Sequence, residues 1–352
     1  MRVAIDISAL SSGHHVRGVG SYTEQMIYAL EKYQSDIAYT KIDAGNSVPE
    51  NIDILHYTYL DLFNRTIKVS NKYRTIVTIH DVIPLVFPQH FPVGIRGNVN
   101  LFLLKRLLKN VSAVITDSHN SRKDIMRHLS IPSNKISTVY LAAGEHFRIL
   151  SQKELTDLNL QAKYKLSERY LLYVGDVNWN KNLVRLIQAF RNFQKNNISL
   201  VMIGKALTDT KTPETQQLVE LIDSLGLQKN VMRFGFMPKE DLVGMYNGAA
   251  GYIQPSFYEG FGFPVLEAMQ CGIPVIVSNR SSLPEIAGYA GISINPERID
   301  DIVRGIEKLL NLKKHQREEL IKKGLEQAKK FSWENVARQT ADVYRQVYKN
   351  GK

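Results

Sequence analysis

Two glutamates with seven residues between them bracket a glycine-rich turn in the segment Pro255-Ser-Phe-Tyr-Glu-Gly-Phe-Gly-Phe-Pro-Val-Leu-Glu-Ala-Met-Gln-Cys-Gly-Ile-Pro274. The breakers order it as strand, loop, helix, strand. Pro264 suits a first helical turn, Gly262 permits close backbone approach, and Gly272 marks the helix end. No Ser, Thr, Asp or Asn lies in Gly260–Phe263 to cap the helix start. An uncapped, positively polarised helix start is a natural seat for a phosphate or sugar oxygen. A carboxylate accepts hydrogen bonds from two adjacent hydroxyls, so Glu259 and Glu267 suit polyol recognition, one sugar at Glu259 and another, such as a ribose, at Glu267. Without the glycines and prolines at fixed offsets, the same pair reads equally as a solvated loop acid and a helix-start charge complementing the dipole.

Other residues carry weaker signals. Lys181 follows an apolar run and Gly175, which points a compact cation at the mouth of a strand end; a solvated loop lysine is the alternative. His80 closes the run Thr75-Ile-Val-Thr-Ile-His-Asp81, at the rim where a parallel sheet binds ligands, with Asp81 placed to orient it. Gly18 and Gly20 lie between the first strand and the apolar helical pattern Tyr22–Leu30, where their backbone can approach a leaving diphosphate or an acceptor. Ordinary loop geometry explains them as well, and the run is not a dinucleotide fingerprint. Ser118 is a lesser candidate for the same rim. No Asp-x-Asp pair and no Cys/His cluster of zinc spacing occurs, and Cys271 is the single cysteine. No metal and no cofactor is therefore expected; Lys181 and a helix start can neutralise a diphosphate.

The elements that must position these groups alternate. Arg2–Ile7, Ile52–His56, Thr75–His80, Ala113–Asp117 and Ile136–Val139 read as strands separated by amphipathic stretches. After a charged helical stretch near Ser151–Ser167 the rhythm restarts at Tyr170–Val174, Ser199–Ile203, Val231–Phe234, Gly251–Gln254 and Pro274–Ser278. The pattern predicts α/β architecture, with two Rossmann-like, doubly wound domains over 1–165 and 166–352 facing across a ligand cleft. A last helical stretch, about 333–348, has no following strand and is free to pack on the N-terminal domain.

Length and composition agree. The chain has 352 residues, 44% hydrophobic and 22% charged, which suits two globular domains and excludes disorder and coiled coil. Lys and Arg number 45 against 34 Asp and Glu, but the excess is regional. Residues 1–50 carry 4 basic and 6 acidic groups, 101–150 carry 8 and 3, and 301–352 carry 13 and 7. With no basic tail and no RNA-binding aromatic signature, nucleic acid is not the expected partner. The opening MRVAIDISAL reads as a strand rather than a signal peptide, no run is long enough to span a bilayer, and a reducing cytoplasm fits one cysteine. Residues 90–109 combine Phe91, Phe102 and several leucines with Arg96, Lys105, Arg106 and Lys109. Such a stretch suits peripheral contact with an anionic cytoplasmic membrane face, where a lipid-linked acceptor would be found; a core helix with a solvated basic edge is the alternative.

The stretch Ser256–Pro274, with Ser278 and Ser282-Leu-Pro-Glu-Ile-Ala287, closely resembles the nucleotide-sugar site of retaining glycosyltransferases of family four, which have the two-domain GT-B fold. Looser parallels are Arg17-Gly-Val-Gly-Ser-Tyr22, Thr78-Ile-His-Asp81, Thr116-Asp-Ser-His-Asn-Ser121 and Tyr173-Val-Gly-Asp-Val-Asn-Trp-Asn-Lys-Asn182. The resemblance implies that Glu259 holds donor-sugar hydroxyls, that N–H groups around Gly260, Phe261, Gly262 and Phe263 hold its hydroxyl or phosphate oxygens, and that Glu267 holds the ribose. It further implies that Lys181, beside Gly175, binds the diphosphate and that His80 contacts the transferring sugar. Asp176 and Asn180 depart from the arginines or small residues of many relatives. The implied activity is retaining, metal-independent transfer of a hexose, mannose from GDP-mannose first, from a nucleotide sugar to a saccharide or lipid-linked saccharide. The wording around Glu259 is similar to bacterial mannosyl- and rhamnosyltransferases of surface-polysaccharide assembly. The alternatives are a sugar-nucleotide epimerase of the same fold and a non-catalytic sugar-nucleotide-binding subunit.

Overall fold

Runs of Val, Ile, Leu and Tyr become parallel strands when helices cover both sheet faces, since each strand then buries every side chain. The computed structural model, which describes residues 1–11, 18–43 and 48–350, contains two such sheets. The first holds β1 (Arg2–Asp6), β2 (Ala38–Ile42), β3 (Ile54–Tyr57), β4 (Arg74–Thr78), β5 (Ala113–Thr116) and β6 (Ile136–Thr138), in the order β2-β1-β3-β4-β5-β6. In the second, β7 (Tyr170–Val174), β8 (Ser199–Ile203), β9 (Val231–Phe234), β10 (Gly251–Gln254), β11 (Val275–Ser278) and β12 (Gly291–Ile294) run in the order β12-β11-β10-β7-β8-β9. All described pairings are parallel. In-register pairs such as Ala4 with Leu55, Val77 with Val114 and Leu171 with Leu200 are buried and seed the two cores.

The chain divides into two units, Met1–Ala142 with Phe331–Lys352, and Ala143–Lys330. The strand rhythm placed a division near residue 165. The helices Gln152–Leu158 and Leu160–Tyr164 lie instead in the second unit, packed on the helix Lys239–Gly248. Lys163 Nζ and Tyr164 OH each donate to Asp241 Oδ2 at 2.6 Å, which ties the stretch down. The last helix, Trp333–Lys349, belongs to the first unit, against the helix Gly18–Tyr33. Its buried stripe of Trp333, Val336, Ala337, Ala341 and Tyr344 follows helical spacing.

Strand order locates ligand sites before any side chain is considered. In an open parallel sheet the loops diverge where the winding reverses, leaving a crevice at the carboxyl ends of the two flanking strands. That point lies between β1 and β3 in the first sheet and between β7 and β10 in the second. Lys181 follows β7 and Glu259 follows β10. β7 also ends unusually close to its other neighbour: Gly175 N donates to Ile203 O at 2.9 Å, and a Cβ on Gly204 would lie 2.0 Å from Gly175 O.

Candidate active site

Beyond β7 the chain turns through Gly175, at φ +153°, where a side chain would also meet the Tyr173 hydroxyl. It then forms the short 3₁₀ turn Trp179–Lys181. Two asparagines clamp that turn onto the loop after β10. Asn180 donates to Tyr258 O at 2.9 Å and accepts from Phe257 N at 2.8 Å through its own carbonyl. Asn182 donates to Pro255 O at 2.9 Å and Pro296 O at 2.7 Å. Trp179 stacks on Phe257 with centroids 5.0 Å apart. Asn180 is thus a buried brace between the two loops.

The clamp puts Lys181 against Glu259. The ammonium is 2.8 Å from both carboxylate oxygens, and Glu259 is only 7% exposed. Oε1 also accepts from Gln254 Nε2 at 2.6 Å and Ser256 Oγ at 2.7 Å. Gln254 is itself fixed, because its carbonyl accepts from the Tyr252 hydroxyl. Oε1 therefore has three donors and Oε2 has Lys181 alone among the described residues. One side of the carboxylate remains able to accept from a ligand hydroxyl. A buried ion pair stabilises little in net terms, but removing one partner strands the other charge. Sequence reasoning missed Gln254 and Ser256; a glutamine closing the apolar strand Gly251-Tyr-Ile-Gln254 was the signal available.

Next along the chain, Gly260 and Phe261 are buried and lead to Gly262 at φ +123°, where an added Cβ would meet Leu283 at 2.8 Å. The helix Phe263–Gln270 starts here with Pro264 in its first turn and no side-chain cap. Ser282 Oγ donates to Glu259 O and Phe261 O, and Ser281 Oγ accepts from Glu259 N, which fixes the turn from outside. The helix start is positively polarised with no acidic residue in its first turn.

Glu267 lies one turn into the helix, and the Tyr246 hydroxyl donates to its Oε2 at 2.7 Å. Burial pushes its pKa up to about 7, against the opposing pull of that hydrogen bond. An acid raised in the folded state contributes stability below the usual carboxylate range, and that contribution is lost as pH rises through 7. Ribose hydroxyls have the opposite requirement, since they donate to the ionised form. If Glu267 holds them, the Kd of a nucleoside diphosphate should fall several-fold between pH 6 and 8. Glu267→Gln should flatten that slope in calorimetric titrations; an unchanged slope in the variant would remove Glu267 from ligand binding.

The first unit carries its own constellation. His80 lies two residues beyond β4, with Nδ1 2.6 Å from Asp117 Oδ2 and Nε2 3.2 Å from Thr58 O. Tyr22 sets its ring against the imidazole edge to face, with centroids 4.7 Å apart. Burial works against the charged ring, but the Asp117 carboxylate, its hydrogen bond and more distant Asp81 outweigh it and hold the pKa above the usual value. The orienting acid is therefore Asp117, after β5, rather than Asp81, whose carboxylate accepts from Ile83 N at 3.0 Å. Ser118 is buried and caps the helix His119–Leu129, accepting from Ser121 N at 3.0 Å. Gly18 and Gly20 stand in the first turn of the helix Gly18–Tyr33 rather than in a loop before it, and Arg17 lies outside the described residues. Sequence reasoning also passed over His56, buried on β3, whose ring nitrogens meet Tyr344 OH at 2.7 Å and Thr78 Oγ1 at 2.8 Å.

Comparison with known proteins supplies the family. Residues 159–327 match the model of glycosyl transferases group 1, and residues 39–142 match glycosyltransferase family 4. The O-antigen chain mannosyltransferase B of Escherichia coli is 34% identical over 274 residues, which cover 77% of this chain and 70% of that protein. The serotype-specific mannosyltransferase WbdA of Escherichia coli is 28% identical over 305 residues, and the match covers 84% of this chain but 37% of WbdA. Among solved structures, Anabaena Alr3699/HepE in complex with UDP and glucose superposes with a TM-score of 0.76 at 15% identity, over 98% of this chain and 100% of that one. Two six-stranded parallel sheets, both family matches and a relative more than 30% identical along most of both chains agree: the chain belongs to glycosyltransferase family 4, has the GT-B fold and is a glycosyltransferase.

Proposed function

We propose that the enzyme moves a hexose, mannose from GDP-mannose first, from a nucleotide diphosphate to a saccharide or lipid-linked saccharide, with retained configuration and without a resident metal. The carrying observation is the Lys181–Glu259 pair at the carboxyl ends of β7 and β10, a fixed cation and a fixed acceptor at the point where a doubly wound sheet binds ligands. In this reading Lys181, beside Gly175, and the helix start after Gly260, Phe261 and Gly262 receive the diphosphate, Glu259 Oε2 takes sugar hydroxyls and Glu267 takes the ribose. His80, oriented by Asp117, contacts the transferring sugar. Mannose is favoured because the 34% identical relative is a mannosyltransferase by name.

Chemically, the bond from C1 to the phosphate oxygen breaks through an oxocarbenium-like state as negative charge collects on the leaving diphosphate. Positive potential already in place lowers that barrier. The acceptor oxygen then bonds C1 on the same face, and its proton passes to the departing phosphate oxygen. No carboxylate nucleophile takes part. A panel of nucleotide sugars should give transfer to a saccharide acceptor with GDP-mannose, at the same rate with a chelator present. Loss of transfer on chelation would end the metal-independent reading, and donor interconversion without acceptor would favour an epimerase.

The acceptor reading includes the membrane. No helix among the described residues is long and apolar enough to cross a bilayer. The helix Ile95–Leu108, however, turns Ile95, Val99, Phe102 and Leu103 to solvent, at spacing that forms one stripe, and Arg106 lies over the Phe102 ring. We place this stripe in the headgroup region of an anionic cytoplasmic leaflet. The protein should sediment with anionic vesicles at low salt and lose that binding when Lys105, Arg106 and Lys109 are neutralised. Retention of binding by the triple variant would count against it.

A further inference from the structure

Within the first unit, the last helix reaches His80 through a buried polar series that none of the assignments above uses. Tyr344 lies on that helix, and its hydroxyl meets His56 Nδ1 at 2.7 Å. Across the ring, His56 Nε2 meets Thr78 Oγ1 at 2.8 Å, and Thr78 Oγ1 meets the Tyr22 hydroxyl at 3.1 Å. Tyr22 then sets its ring against the His80 imidazole. Each of these four residues is at most 1% exposed, so no link can be exchanged for bulk water. Burial, with His80 nearby, holds the His56 pKa down to about 3, which keeps the ring neutral. A neutral imidazole donates from one nitrogen and accepts at the other, so the bonds on its two sides depend on one another.

His80 needs support of this kind. Its contacts to Asp117 Oδ2 and Thr58 O both lie at ring nitrogens, and contacts in the ring plane leave the tilt of the imidazole to its packing. Asp117 adds little rigidity, because its other oxygen, Oδ1, is buried with no partner among the described residues. The helix Gly18–Tyr33 supplies what is missing twice over: Tyr22 packs on the ring, and Thr23 Oγ1 donates to Thr58 Oγ1 at 3.0 Å. The last helix is pinned to the end of that element, where Arg345 donates to Gln34 Oε1 at 2.9 Å and to Asp36 at 3.0 Å. We propose that Tyr22 is the positioning residue of His80, and that Tyr344, acting through His56 and Thr78, makes the last helix part of that support. The proposal rests on the reading that His80 contacts the transferring sugar, and it extends the machinery of transfer to a helix that carries no group at the rim.

The test follows the Nδ1 proton of His80 by nuclear magnetic resonance in the full chain with isotope-labelled histidine, the signal being assigned by its absence from His80→Gln. Bonded to Asp117, that proton should resonate far downfield and exchange slowly. Tyr22→Phe and Tyr344→Phe each remove one hydroxyl and keep the ring; each should speed the exchange and lower kcat about three- to tenfold, with the KM for nucleotide sugar nearly unchanged. Tyr22→Leu should broaden the signal beyond detection. The two phenylalanine changes act on one series, so their double variant should lose no more kcat than Tyr22→Phe alone, although its melting temperature drops further. A His80 signal unchanged in both well-folded phenylalanine variants, or losses of kcat that multiply in the double variant, would overturn the proposal. If the signal responds while transfer does not, the positioning stands and the assignment of His80 to the sugar falls. If His80→Gln abolishes transfer and the signal is indifferent to both hydroxyls, that assignment stands and the positioning falls.

Discussion

Lys181→Ala is expected to lower kcat/KM for sugar transfer by two to three orders of magnitude, about 3–4 kcal/mol of transition-state stabilisation. The residue combines two properties that make a cation count. Its side chain is largely withdrawn from water, and the clamp of Asn180 and Asn182 fixes the turn that carries it. Positioned charge that needs no reorganisation acts most strongly where a leaving group gains charge. The fold should survive, because Glu259 keeps its donors Gln254 and Ser256, although the melting temperature should drop as the carboxylate loses its counter-ion. Steady-state kinetics with matched circular dichroism decide the matter. A variant with wild-type kcat/KM would show that the diphosphate is neutralised elsewhere.

Glu259→Gln should separate binding of the nucleotide from binding of the sugar. Both carboxylate oxygens lie 2.8 Å from the Lys181 ammonium, so in the proposed reading an incoming diphosphate would share a cation that is already engaged. Neutralising the carboxylate removes that competition. A nucleoside diphosphate lacking sugar should therefore bind three- to tenfold more tightly to the variant, about 1 kcal/mol. Transfer from the intact nucleotide sugar should fall at least a hundredfold, since the proposed role of this carboxylate is to accept hydrogen bonds from the sugar hydroxyls. Few single changes would tighten product binding while abolishing turnover. Parallel losses of nucleotide affinity and transfer would refute competition between Glu259 and the ligand, and the double variant with Lys181→Ala would measure their coupling.

Periodicity carries a parallel α/β fold well, and ten of the twelve strands fall where the apolar runs predicted them. The two missed strands show why it fails at edges. β2 buries only Ile42 fully at its end, and β12 is four residues long with exposed Ser293, so neither presents a continuous apolar run. Helix boundaries around Gly262, Pro264 and Gly272 were legible because those residues have backbone requirements that the chain cannot hide. Partnerships were not. Lys181 and Glu259 are 78 residues apart, and their bond depends on β7 and β10 becoming neighbours across a reversal of winding. The choice between Asp81 and Asp117 as partner of His80 has the same character. Both acids follow strand ends, and the ladder that pairs Thr78 of β4 with Ile115 of β5 decides between them.

The bond between His56 and Tyr344 joins residues 288 positions apart, and it lies within the first unit. During synthesis at about 5–20 residues per second, His56 would wait roughly 15–60 s for that hydroxyl. The second unit, contiguous from Ala143 to Lys330, emerges whole in the meantime. On the ribosome the unit that precedes Ala143 is thus completed after the one that follows it, and the surface awaiting the helix Trp333–Lys349 is what a chaperone would have most reason to shelter.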